Sequence, residues 1–393
     1  MNESTFTPGG GQPGGQVPAE LQAVGSVAVR TFAAHQSGSR TSPQQTPTQT
    51  AHQSMDGHHV NAMAGDRSGD THSHFADYDE LSPQGHFYDP DAEYEPDPEY
   101  AATLAPDAAR QRRERVGPTG RPLPYFPIPG PLTDHGPAKI IAMCNQKGGV
   151  GKTTSTINLG AALAEYGRRV LLVDFDPQGA LSVGLGVNPM ELDLTVYNLL
   201  MERGMSADEV LLKTAVPNMD LLPSNIDLSA AEVQLVSEVA RESTLQRALK
   251  PLMADYDYIV IDCQPSLGLL TVNALTAAHK VIVPLECEFF ALRGVALLTE
   301  TIEKVQERLN PELELDGILA TMYDSRTVHS REVLARVVEA FDDHVYHTVI
   351  GRTVRFPETT VAGEPITTYA SNSVGAAAYR QLAREVLARC HAE

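Results

Sequence analysis

The run Asn145-Gln146-Lys147-Gly148-Gly149-Val150-Gly151-Lys152-Thr153-Thr154 lies between an apolar stretch and a segment with helical spacing. Its glycines allow successive backbone N–H groups to turn toward one anion, and a helix start adds the positive end of a dipole. Lys152 supplies a point charge, and the hydroxyl of Thr153 is a suitable Mg2+ ligand. Together these groups suit the β- and γ-phosphates of a nucleoside triphosphate. Gln146 stands where the strict pattern GxxxxGK[ST] has its first glycine. A glycine-rich loop also serves as a plain tight turn; the position of Gly151-Lys152-Thr153 between strand and helix favours the phosphate reading.

Three carboxylates close apolar stretches: Asp174 and Asp176 in Asp174-Phe175-Asp176-Pro177-Gln178-Gly179, and Asp262. An aspartate in such a place is often only a helix cap or a turn former. Three at one sheet edge beside a phosphate loop fit metal and water management. In that reading Asp262 orients the shell of a Mg2+ ion ligated by Thr153, Asp176 places an attacking water, and Asp174 supports both. Cys263 adjoins the group but has no evident base partner, so it is read as packing rather than as a nucleophile.

Such groups need strands that end together. Apolar runs at 139–144, 169–174, 258–262, 280–284, 317–322 and 344–350 read as strands, and helical spacing recurs at 152–166, 229–250, 267–278, 291–309, 329–342 and 373–391. Continuous apolar strands alternating with amphipathic helices predict an α/β fold: a mostly parallel, twisted sheet with helices on both faces. Ligands of such sheets bind at the carboxyl edge, where the loop and the three aspartates would meet.

Residues 1–136 differ in kind. Gly, Pro, Gln, Ser, Thr, His and Asp dominate them without sustained apolar periodicity, so they are expected to form a long disordered tail, with the folded domain spanning 137–393. An acidic, tyrosine-dotted stretch at 88–100 precedes a basic run at Arg110, Arg112, Arg113 and Arg115. A solvated tail is the simpler reading; competition with the anion bound by the domain is the sharper one. The whole chain has 393 residues, with 30 Lys+Arg against 50 Asp+Glu, a net charge of −20. Residues 1–136 hold 17 acidic and 8 basic residues, so the remainder still carries −11, and any nucleic-acid contact requires a clustered basic face. Four cysteines without a CxxC pair exclude a zinc module and a disulfide scaffold, and no apolar run is long enough to span a membrane. A cytoplasmic protein is expected.

Lys147-Gly148-Gly149-Val150-Gly151-Lys152-Thr153 resembles the deviant Walker A loop of the ParA/MinD class of P-loop ATPases, and Asp174-Phe175-Asp176-Pro177-Gln178-Gly179 resembles that class's second motif. The match is closest to the ParA/Soj chromosome-partitioning ATPases. It extends through Thr321-Met322-Tyr323-Asp324-Ser325-Arg326-Thr327 and Thr348-Val349-Ile350-Gly351-Arg352-Thr353-Val354-Arg355, covering 138–393. A departure follows Asp262, where Cys263-Gln264-Pro265-Ser266 replaces the usual small residues and paired prolines.

The resemblance implies a P-loop NTPase fold and ATP and Mg2+ as cofactors, bound by Lys147, Gly148, Gly149, Val150, Gly151, Lys152, Thr153 and Thr154, with Thr153, Asp174 and Asp262 at the metal. It implies catalytic roles for Lys147, Lys152 and Asp176, with hydrolysis slow unless stimulated. Lys147 would reach across an ATP-dependent homodimer to the partner's phosphates; from spacing alone it is merely a second cation near the loop. The implied partners are non-specific double-stranded DNA, contacted by Arg326 and Arg355, and a ParB-like centromere-binding protein. The implied setting is nucleoid-associated, with chromosome segregation as the output. An alternative output is an orphan regulatory ATPase recruiting condensin-type or replication-initiation factors through its tail. A membrane-surface role is disfavoured, because residues 381–393 lack a dense cationic face.

Overall fold

The computed structural model describes residues 116–288 and 291–391. Strands β1 (Lys139–Met143), β2 (Val170–Phe175), β3 (Leu212–Lys213), β4 (Met219–Leu222), β5 (Tyr258–Cys263), β6 (Lys280–Glu286) and β7 (Glu314–Thr321) form one seven-stranded sheet in the order β3-β4-β2-β5-β1-β6-β7. Every pairing is parallel except the short β3 against β4 at one edge. The helices relevant to the site are α1 (Lys152–Glu165), α2 (Leu269–Ala277), α3 (Ala291–Arg308), α4 (Val328–Phe341), α5 (Arg355–Ala362) and α6 (Val374–His391).

The unbroken apolar runs follow from burial on both sides. In β1, Ile140 and Ala142 enter one core layer while Ile141 and Met143 enter the other. β5 divides likewise, with Ile259 and Ile261 on one face and Tyr258 and Val260 on the other. Alternate side chains point to opposite faces, so a strand covered twice needs apolar residues at every position. One layer is completed by α1 and α6 through Leu159, Leu163, Leu382 and Val386. The other takes residues from α2, α3 and α4, including Leu270, Leu298 and Leu334. No helix among the described residues is long and apolar enough to cross a membrane.

Three segments depart from the sequence reading. Residues 344–350 form no strand: the segment touches β7 through a single bridge at Val345 and through N–H donation from Tyr346 and Ile350. The buried Glu385 carboxylate accepts the N–H groups of His347 and Thr348, removing two donors from any ladder. The helix expected over 229–250 is interrupted between Leu228–Gln234 and Thr244–Leu249, with Ala240 in the left-handed region at φ 53°. Residues 116–136, assigned to the tail on composition, dock along the amino edge of the sheet. Arg121 donates to the carbonyls of Asp342 and Val345, Phe126 meets His347 edge-on, Arg168 donates to Gly130 O, and His135 Nδ1 lies 2.8 Å from Asp257 Oδ2. The acidic stretch and the arginine run at 110–115 lie outside the described residues.

Candidate functional site

β1 is an interior strand flanked by β5 and β6, and the loop 144–151 leaves its carboxyl end, the edge at which such sheets bind ligands. Gly149 and Gly151 both have positive φ, 75° and 84°, a conformation that any side chain would strain. Other elements pin the loop. Asn145 Nδ2 donates to Pro284 O at 2.7 Å and its Oδ1 accepts Lys147 N–H, while Thr321 Oγ1 donates to Val150 O at 2.9 Å. Helix α1 begins at Lys152 after Gly151, which has no side chain to cap it, and its first turn carries no acidic residue. The free amides of that turn therefore face the loop without a competing carboxylate. Lys152 is buried, with Nζ donating to Lys147 O at 3.1 Å.

The aspartates close the same edge. Parallel register sets Asp174 opposite Asp262. Asp262 Oδ2 accepts the Thr153 hydroxyl at 2.6 Å, tying the metal-type hydroxyl of the loop to β5. Asp174 is fully buried; its Oδ2 accepts both the N–H and the hydroxyl of Ser182, at 2.8 and 2.7 Å. Asp176 is half-buried and turns the chain by accepting Gln178 N–H at 2.9 Å. Burial pushes the Asp174 carboxyl up to about 6. Burial, and then the charge of Asp174, push that of Asp262 up to about 8. Two neighbouring carboxylates out of water favour either protonation or a bound cation. The oxygen-only donor set of Thr153 and Asp262, backed by Asp174, fits the hard Mg2+ ion. No cluster of three His, Cys, Asp or Glu side chains able to hold a metal occurs among the described residues, so the fit rests on this mixed hydroxyl–carboxylate set. Neither Ser182 nor the tie from Thr321 to the loop was assigned a role on sequence: Ser182 follows Asp174 by eight residues with no pattern marking the contact, and Thr321 lies 171 residues from Val150.

Lys147 stands at the outer end of the loop, its Nζ 3.0 Å from Glu286 and 2.5 Å from Glu288. Arg326 and Arg355 are exposed, each beside a carboxylate of its own segment. Arg326 is held by both oxygens of Asp324 at 2.9 Å, and Arg355 lies 3.0 Å from Glu358. The Arg326 guanidinium in turn holds the Asp324 carboxyl down to about 2. Cys263 is buried, and contact with Cys144 together with burial raises its thiol well above the usual range, consistent with packing.

Residues 138–315 match the family model described as an AAA domain. The chain is 69% identical over 274 residues to the uncharacterized protein Rv1708 of Mycobacterium tuberculosis strain H37Rv, covering 70% of this chain and 86% of that protein. It is 49% identical over 251 residues to the chromosome-partitioning ATPase Soj of Treponema pallidum, covering 64% of this chain and 98% of Soj. Among solved structures, it resembles one described as cobyrinic acid a,c-diamide synthase from Mycobacterium smegmatis with bound ADP and magnesium. The identity is 46% and the TM-score 0.58, with 65% of this chain and 96% of that one covered.

Proposed function

The chain belongs to the ParA/Soj family of P-loop ATPases, and from that membership we propose that it is an ATP-driven dimerisation switch acting on DNA in chromosome partitioning. The observation that carries the proposal is the joining of Thr153 to Asp262 beside the buried Lys152 and the uncapped start of α1. In this reading the amides of 148–154 and Lys152 bind the β- and γ-phosphates of ATP. Thr153 and Asp262 hold Mg2+, with Asp174 behind them; when bound, the ion offsets phosphate charge as the terminal group is transferred. Asp176, at the mouth of the crevice, orients the attacking water. Lys147 leaves its own chain's carboxylates and reaches the phosphates of a partner subunit, so that ATP joins two subunits and hydrolysis releases them.

Arg326 and Arg355 bind DNA phosphates without reading sequence, and pairing of subunits doubles the contacts, so that individually weak phosphate pairs become effective. A ParB-like, centromere-bound protein would stimulate hydrolysis and reset the switch at the nucleoid. The test is size exclusion with light scattering on Asp176→Ala protein, with and without ATP and non-specific duplex DNA. The expected result is a monomer without ATP, a stable dimer with it, and co-elution with DNA only in the second case. A protein that remains monomeric with ATP contradicts the switch.

A regulatory output through residues 1–115 makes a different prediction. The segment 116–136 docks at the amino edge of the sheet, the opposite edge from the loop. Deleting 1–115 while keeping 116–136 should leave ATP-dependent dimerisation and DNA binding in place. Loss of segregation in cells despite both would favour recruitment by the tail.

A further inference from the structure

Glu286, at the end of β6, has a cation on each carboxylate oxygen: Lys147 Nζ is 3.0 Å from Oε2 and an Arg352 guanidinium nitrogen is 3.3 Å from Oε1. Its side chain is only 13% exposed, against 43% for Lys147 and 64% for Arg352. Glu288, two residues on, is drawn beneath the same lysine by a turn in which its N–H donates to Glu286 O at 2.7 Å. Burial alone would lower the Lys147 ammonium, but the hydrogen bonds it donates to Glu288 and Glu286 outweigh burial and hold it above its usual range. The lysine is thus retained by its own chain.

Withdrawing Lys147 would leave Glu286 as a poorly hydrated carboxylate, which is costly unless another cation takes over. Arg352 is placed to do so. Its backbone N–H is fixed to Tyr323 O at 3.1 Å, and its planar fork can engage both carboxylate oxygens once the lysine has gone. We propose that Glu286 and Arg352 together set how readily Lys147 is released for subunit pairing, Glu286 retaining the lysine and Arg352 replacing it when it leaves. The inference rests on the reading of Lys147 as the cation that acts on the partner's phosphates.

The two residues then act with opposite sign. The experiment is an ATP titration of dimerisation by light scattering, without DNA, in full-length Asp176→Ala protein and in the same protein carrying Glu286→Gln, Arg352→Gln or both. Glu286→Gln should lower the ATP concentration at half-dimerisation about fivefold, and Arg352→Gln should raise it by a similar factor. In the double variant the Arg352→Gln effect should vanish, because there is no carboxylate left to cover. General loosening of the loop would move both single variants the same way, so shifts of equal sign, or none, overturn the proposal. If the Asp176→Ala parent itself fails to pair at saturating ATP, the trans-acting lysine is wrong and this inference falls with it.

Discussion

At the carboxyl edge of the sheet, Asp174 and Asp262 are buried and their oxygens are taken by Ser182 and Thr153, residues from other segments. By contrast, Arg326 and Arg355 stand in solvent beside Asp324 and Glu358, carboxylates two and three residues away. The first arrangement is held by tertiary contacts in a poorly hydrated setting, where a lost partner leaves another group stranded. The second is local, hydrated and screened by salt, so each contact is weak and readily exchanged for another anion. One molecule thus combines polar groups locked by tertiary contacts with exposed charges paired only locally.

The largest effect should come from the cradle. Lys152→Ala removes the buried cation beside the phosphates and should weaken ATP binding at least about 100-fold by calorimetry; retained affinity would undo the assignment of the loop. Next comes the buried pair. A carboxyl whose folded pKa is raised, as for Asp262 to about 8, stabilises the protein below its unfolded value near 4, and that contribution is lost as pH rises through 8. Asp262→Asn mimics the protonated form. Without nucleotide, its melting temperature should match the parent near pH 4 and exceed it by several degrees near pH 9, and a constant difference would show that Asp262 is ionised throughout.

Arg326 and Arg355 should respond more gently. Arg326→Glu or Arg355→Glu should lower the DNA affinity of the ATP dimer about tenfold, with a shallower salt dependence and dimerisation intact. Equal DNA binding would remove these arginines from the interface. The smallest change is expected from Asp324→Asn, which frees Arg326 from its bidentate partner. DNA affinity at low salt should rise about twofold, and the gain should fade as salt is added; a decrease would mean that Asp324 orients Arg326 for DNA instead of competing for it.

Much of the site is legible along the chain. The loop 145–154 is contiguous, and Asp174, Asp176 and Asp262 lie at the ends of apolar runs whose pattern marks strands. Legibility fails where a distant group overrides local preference. The β-branched and aromatic run 344–350 reads as a strand, but Glu385 of α6 takes two of its N–H groups. The break near Ala240 carries no glycine or proline; it is held by Arg241 donating to Val236 O and Arg247 donating to Ala240 O. The proline-rich segment 116–136 has no periodicity to announce it, yet it packs through Arg121 and Phe126 on surfaces assembled from other parts of the chain.

By itself, the order of residues determined the alternation of buried strands and helices and the phosphate-binding character of the loop, because both depend on neighbours along the chain. The tertiary structure alone decided that Thr153 meets Asp262, that Ser182 holds Asp174, and that Glu286 joins Lys147 to Arg352. Those pairings span from 8 to 139 residues, and no local pattern encodes them. They arise when parallel register brings strand ends level and burial makes every polar group there find a partner.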